Sequence, residues 1–350
     1  MKTKLFYLAI AVSLALSAWA HYFTHSTGLQ FGTASLSVIL LAALLGKATE
    51  SVAHYAGERI GGFLNATFGN AAELIIATIL IKEGMFDMVK ASLTGSIIGN
   101  LLLVLGLSLF FGGLKFKVQK FNGMLAGHNA SLMLLSVIAL FIPAAFAGSL
   151  ENGQLHIFSL VVAGALIGCY LLWLTFSMVT HKKELTDPGE AGHEEETPVW
   201  SNRAAILIML ISTIFVAVTS EWLVHSLHGV AESLHLSQAF LGIFVVAIVG
   251  NAAEHSAAIF MAMKNKIGTS VEIAVGSSLQ IALFVAPVLV FISYLFGNPM
   301  DIIFSQYELV AIGVSAFIAK SISRDGATNW FEGILLLAVY IILGFGFYFV

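Results

Sequence analysis

The chain has 350 residues, of which 58% are hydrophobic and only 10% charged, and its mean hydropathy is +0.93. Soluble domains carry about 25% charged residues, so this composition excludes a soluble globular protein and leaves a polytopic membrane protein. The formal net charge of −4 says little, because the charges fall between apolar runs, and a single cysteine, Cys169, excludes a disulfide framework.

Runs of about 20 apolar residues cross a bilayer as helices. The first run, Leu5–Leu16, follows Lys2 and Lys4 and precedes Ser17-Ala18-Trp19-Ala20, which resembles a signal-peptidase site. It reads better as a retained first transmembrane helix. Ten further spans follow, so that the eleven lie at 5–23, 33–55, 62–81, 86–111, 121–146, 153–179, 203–225, 236–262, 269–296, 302–320 and 329–349.

Lysine and arginine favour cytoplasmic segments. With the N-terminus inside, thirteen of them (Lys2, Lys4, Arg59, Lys115, Lys117, Lys120, Lys182, Lys183, Arg203, Lys264, Lys266, Lys320 and Arg324) fall on the cytoplasmic side. Only Lys82 and Lys90 fall outside, and Lys47 lies within a helix. Eleven spans with an outer C-terminus are therefore expected, in a multi-pass protein of the cell membrane.

Two five-residue stretches are identical: Gly69-Asn70-Ala71-Ala72-Glu73 and Gly250-Asn251-Ala252-Ala253-Glu254, 181 positions apart. The register persists, since Ser96 and Ser277 each follow their glutamate by 23 residues. Setting the first helix aside leaves five spans per copy, and an odd number inserts the second copy upside down. Inverted repeats are a recurrent plan of secondary transporters, with the site near the midplane where the copies meet. The expected organisation is an N-terminal helix (1–30), a first five-helix repeat (31–180), an acidic cytoplasmic linker (181–202) and a second repeat (203–350).

A carboxylate near the bilayer centre costs about 2.5–3.5 kcal/mol on insertion scales and so has a partner or a job. Of Glu50, Glu73, Glu254 and Glu308, only Glu73 and Glu254 map onto each other; Glu50 maps to Ala231 and Glu308 to Gly127. Symmetry places that pair beside one axis. The polar groups around it, Asn70, Asn251, Ser96, Ser277 and Gln280, are oxygen donors, with backbone carbonyls freed if the helices break at Gly69 and Gly250. Hard oxygen ligands suit Ca²⁺, and His255 alone is too little imidazole for zinc or copper.

Two carboxylates neutralise one divalent cation. Without it they repel each other and are poorly solvated, so protonation relieves the empty site and protons compete with the cation for the same groups. Each residue also has a plainer reading. The asparagines can bond across helices, the serines can bond back to their own helix, and His255 can either shuttle protons or orient its neighbour. The six acidic residues of the linker, Glu184, Asp187, Glu190, Glu194, Glu195 and Glu196, lack an EF-hand spacing and read as a solvated connector or a weak Ca²⁺-attracting surface.

At these motifs the chain resembles the cation/Ca²⁺ exchanger superfamily and specifically its Ca²⁺/H⁺ antiporter (CAX) branch. The two Gly-Asn-Ala-Ala-Glu segments look like that branch's paired signature repeats, the second followed by its usual histidine, here His255. The resemblance covers almost the whole chain. It implies an all-α exchanger fold and a secondary transporter with no enzymatic activity, no cofactor and no nucleic-acid partner. It implies Ca²⁺ and H⁺ as substrates, carried by Glu73 and Glu254, with Asn70 and Asn251 as further metal ligands and Ser96, Ser277, Gln280 and His255 lining the site. A homo-oligomer is compatible with it. Two other readings stay open. A channel would use the pair as a selectivity ring, and a Na⁺-coupled exchanger would depend on Na⁺ in place of a pH gradient. Gln280 maps to Gly99 and His255 to Leu74, so neither has a counterpart in the first half.

Overall fold

The computed structural model describes residues 2–57, 61, 64, 65, 67–181, 198–323 and 326–349. Among these, each of the eleven expected spans is a helical segment. They are α1 (Lys2–Phe23), α2 (Thr27–Ala56), α3 (Ala71–Lys82), α4 (Phe86–Phe116), α5 (Gly123–Phe146), α6 (Asn152–Thr175, continued by a turn of π-helix), α7 (Asn202–Leu234), α8 (Gln238–Met263), α9 (Ile267–Leu295), α10 (Gln306–Ile322) and α11 (Trp330–Tyr348). Nine of the helices among the described residues are long and apolar enough to cross a membrane; α3 and α10 are the shorter two. Most of the acidic linker lies outside the described residues, as do Arg59, Lys182, Lys183 and Arg324.

α4 and α9 are the most buried helices and form the middle of the bundle. α1 packs on the outside, against α2 and α7, and its Leu5, Leu8 and Val12 remain exposed, as do Leu172 of α6 and Ile342 of α11. Such an apolar outer surface is what a lipid-facing bundle requires, because every backbone polar group is satisfied inside the helices.

Several boundaries moved for local reasons. The tenth span was expected to begin at 302, but α10 starts at Gln306 because Ser305 and Glu308 form a capping box. Glu308 Oε2 accepts from the Ser305 N–H at 2.8 Å. Glu308 thus has a structural job, at the N-terminus where the helix dipole favours an anion. The chain before it is irregular, with Met300, Ile302 and Phe304 buried. Lys90, one of the two lysines assigned to the outer side, lies 3.4 Å from Asp301 and 3.7 Å from Asp87. That ties α4 to the same irregular segment.

The all-α expectation needs one small addition. Val118–Lys120 (β1) pairs antiparallel with Ala327–Asn329 (β2). The ribbon is anchored by the buried Gln119, whose Nε2 donates to Ala262 O and to Asn265 Oδ1, both at 3.0 Å. Lys115 Nζ donates to Met263 O at 3.0 Å nearby. The ends of α4, α8 and α11 are thereby knit together at one end of the bundle.

Close helix packing at the core uses glycine. A Cβ added at Gly333 of α11 would lie 2.6 Å from Gly106 O, and one added at Gly106 would lie 3.1 Å from Gly333 O. The two glycines let α4 and α11 meet backbone to backbone, the small-residue packing that membrane helices use. Gly333→Leu is expected to destabilise the bundle by about 1–3 kcal/mol or more through overpacking. A lowered thermal midpoint of the detergent-solubilised protein is the readout, and an unchanged midpoint would refute the contact.

Candidate cation-binding site

The site is assembled by reciprocal contacts between the halves. Asn251 Nδ2 donates to Ser96 Oγ at 2.8 Å, and Ser277 Oγ donates to Asn70 Oδ1 at 3.3 Å. Each contact is the other shifted by the 181-residue offset and exchanged between halves. That is the relation a twofold axis imposes. The central helices meet on that axis, where Ser278 approaches the carbonyl of its own counterpart Ile97 at 3.5 Å.

The glycines of the two motifs face the opposite half's glutamates, but only one contact is tight. A Cβ built on Gly250 would sit 3.2 Å from Glu73 Cγ, so Gly250 leaves room for Glu73. One on Gly69 would sit at an ordinary 3.8 Å from Glu254 Oε1, and its tight contact is with its own half, 2.5 Å from Asn65 O. Gly69 also fits its expected place at a helix break, because Gly69 and Asn70 form a turn and α3 begins at Ala71. Gly250 does not. It lies inside the regular α-helical part of α8, Ala247–Met263, and the irregularity is a π-helical turn just upstream at Leu241–Val246. The expectation of a break at Gly250 is corrected accordingly: π-helical widening supplies the local irregularity there, and the glycine supplies space.

Both glutamates are in place, but in different surroundings. Glu254 Oε2 accepts a hydrogen bond from Ser277 Oγ at 2.7 Å. Glu73 is buried to 7% exposure, and neither of its carboxylate oxygens has a hydrogen-bond partner among the described residues. The two groups are near enough for their charges to interact. A buried carboxylate without a partner is costly, and the cost is relieved by a bound cation or a proton.

The expected amides gather beside the pair, while His255 does not. Asn70 Nδ2 donates to Gln280 Oε1 at 2.6 Å, and Asn251 Nδ2 also donates to Ala247 O at 2.8 Å, leaving the buried Asn251 Oδ1 without a partner among the described residues. His255 faces away from this cluster, toward Asn100, with Nε2 3.1 Å from Asn100 Oδ1. Sequence reasoning missed Asn100. Its signal was an amide within the apolar run Ile97-Ile98-Gly99-Asn100-Leu101. It lies in a π-helical turn of α4, Gly99–Val104, whose symmetry mate is the π-helical turn Ile281–Val285 directly after Gln280. Such turns occur frequently at functional sites. Gln280 and Asn100 are thus near-counterparts, one residue out of register.

A cavity of about 610 Å³ leads to the site from one end of the bundle. Its mouth is lined by Lys47 and Glu50 of α2, Ser177 near the end of α6 and Glu272 of α9, and its floor by Gly250, Glu254, Ser277 and Gln280. Glu73 does not line it. This is the end at which α4 hands over to the ribbon, with Lys115, Lys117, Lys120, Lys264 and Lys266.

The sodium/calcium exchanger protein family model matches this chain twice, at residues 26–179 and 204–349. A Ca²⁺/H⁺ antiporter ChaA of Bacillus subtilis is 46% identical over 99% of both chains. A Ca²⁺/H⁺ antiporter of Synechocystis is likewise 46% identical, over 99% of this chain and 98% of its own. The solved structure of native YfkE superposes with a TM-score of 0.86 at 43% identity, covering 99% of this chain and 100% of that one. With an N-terminal helix and two inverted five-helix halves among the described residues, and a family model that spans most of both halves, the chain belongs to the sodium/calcium exchanger family, in its Ca²⁺/H⁺ antiporter branch.

Proposed function

We propose that the protein is a secondary active antiporter that exports cytosolic Ca²⁺ in exchange for H⁺, with Glu73 and Glu254 holding the cation and the protons by turns. The observation that carries this is the carboxylate pair itself: a buried Glu73 without a hydrogen-bond partner among the described residues, interacting with Glu254 at the cavity. Loading Ca²⁺ neutralises both charges, and releasing it requires protons in its place. One shared site with alternating access is then enough for exchange.

The surroundings suit Ca²⁺, which takes six to eight oxygens at about 2.3–2.6 Å. Asn70 and Asn251 would add amide oxygens to the carboxylates, while Ser96, Ser277 and Gln280 hold those amides and Glu254 in position. The bond to Asn100 favours an orienting role for His255, tying α8 to the π-helical turn of α4. The names of the Bacillus and Synechocystis relatives support the choice of Ca²⁺ and H⁺.

In the cell membrane, the lysine-rich end faces the cytoplasm by the positive-inside rule. The N-terminus is then inside and the C-terminus outside. The cavity accordingly opens inward, where it would receive cytosolic Ca²⁺. The two stretches matched by one family model support the division into repeats at 31–180 and 203–350, with an N-terminal helix before them and an acidic linker between.

Proteoliposomes with an imposed pH gradient test the reading through ⁴⁵Ca²⁺ uptake. Uptake is expected to follow the gradient and to ignore Na⁺. It should fall in both Glu73→Gln and Glu254→Gln by more than the roughly 10–100-fold that outer-shell losses cost a metal site. Uptake without any counter-gradient would make the protein a channel, and uptake that needs Na⁺ would make it a Na⁺-coupled exchanger.

Gly250→Ala separates packing from helix breaking. The new methyl, 3.2 Å from Glu73 Cγ, should displace the carboxylate by a few tenths of an ångström. Such a shift is expected to slow uptake by roughly tenfold, given what small misplacements cost. The helix itself should lose nothing, alanine being favoured over glycine by about 1 kcal/mol. Wild-type uptake together with a lower thermal midpoint would contradict both parts.

A further inference from the structure

Five lysines converge at the end of the bundle that carries the β-ribbon. Lys115 and Lys117 end α4, Lys120 sits on β1, and Lys264 and Lys266 flank the turn between α8 and α9. The folded chain brings these segments together: Lys115 Nζ reaches Met263 O, and Gln119 holds Ala262 and Asn265. The backbone that carries the lysines is fixed. Lys117 and Asn265 take φ of 64° and 65°, which is uncommon for residues other than glycine. Four of the lysines are exposed and Lys266 is half-buried. Among the described residues, none of the five has a carboxylate within ion-pair reach.

The repeat supplies a comparison at the opposite end. Under the offset of 181, the places of Lys115, Lys117, Lys120, Lys264 and Lys266 are taken by Phe296, Asn298, Asp301, Glu83 and Met85. Equivalent positions thus carry five positive charges at one end and two negative charges at the other. Membrane topology asks only that positive charge lie somewhere in the cytoplasmic loops. It does not ask that lysines from three segments meet on one ordered surface.

That surface lies at headgroup depth, because the apolar spans of α4, α8 and α11 end or begin beside it, at Phe116, Met263 and Trp330. Leu114, Phe260, Trp330 and Phe331, in the adjoining turns of the same helices, are exposed. We propose that this surface is a binding site for anionic phospholipid. The lysines take the headgroup phosphate, the apolar side chains take the upper part of an acyl chain, and Trp330 stands at the interface as membrane tryptophans do. A bound phosphate cancels the repulsion among the lysines and ties the ends of α4 and α8 to the ribbon. A soluble phosphate or an acidic protein segment would use the charge and leave the apolar side chains without a role.

The test is native mass spectrometry of the detergent-solubilised full chain with dioleoylphosphatidylglycerol or dioleoylphosphatidylcholine. The wild type should retain the anionic lipid in preference to the zwitterionic one. Each lysine near the headgroups is worth about fivefold in affinity, so Lys117→Gln, Lys120→Gln and Lys264→Gln together should weaken retention by about a hundredfold. Lys82→Gln, an exposed lysine at the other end, should change nothing. If the triple variant does not fold, Lys120→Gln with Lys264→Gln should still cost about 25-fold. As a second readout, phosphatidylglycerol should raise the thermal midpoint of the wild type and not that of the variant.

Equal retention of the two lipids by the wild type would overturn the proposal, as would a preference that survives the lysine substitutions. Displacement of the lipid by millimolar inorganic phosphate would make a free anion the occupant and overturn it too. So would phosphatidylglycerol binding that appears only after Glu184, Asp187, Glu190, Glu194, Glu195 and Glu196 are changed to their amides, since the chain's own linker would then be the occupant. None of these measurements depends on transport.

Discussion

Two carboxylates held together inside an apolar bundle are the constraint on which the rest of this structure depends. Each would cost a few kcal/mol alone at that depth, and together they repel. Among the described residues, neither is paired with a lysine or arginine. Glu254 receives one hydroxyl, from Ser277, and Glu73 receives no hydrogen bond among the described residues. The neighbouring amides and hydroxyls are spent largely on one another, as in the bonds of Asn70 to Gln280 and of Asn251 to Ser96. The site is thus rigid in its frame and unfinished at its centre, which suits a group that must exchange what it holds.

The two halves share this burden unequally. Glu254 forms part of the cavity floor, while Glu73 lies behind it against Gly250. Gln280 and Asn100 occupy near-equivalent places beside symmetry-related π-helical turns but bind different partners, Asn70 and His255. A duplicated frame thus carries a site whose two sides are no longer the same. Exact symmetry would not suit a protein whose two faces meet different solutions.

Much of this was legible in the sequence because it depended on composition or on repetition. Hydrophobic run length located all eleven helices, and the repeated Gly-Asn-Ala-Ala-Glu motif located the carboxylates and their amides. What escaped depended on contacts between distant segments. Asn100 has no repeat partner to mark it, so its bond to His255 shows only once α4 and α8 are side by side. Gly250 carried the motif but not the expected break, because a π-helical turn is set by hydrogen-bond register and leaves no residue signature. Glu308 looked like a membrane-buried charge until Ser305 supplied its cap. The β-ribbon was too short to leave an alternating pattern.

The reciprocal bonds of the motif asparagines also bear on inheritance. Asn70 is held by Ser277 of the second half, and Asn251 bonds Ser96 of the first. A change at any of these positions is therefore felt in the other copy as well as its own. After a duplication, most positions are released to drift apart. These are not, and the two copies remain bound to a common history at this point while diverging freely on the faces they turn toward lipid.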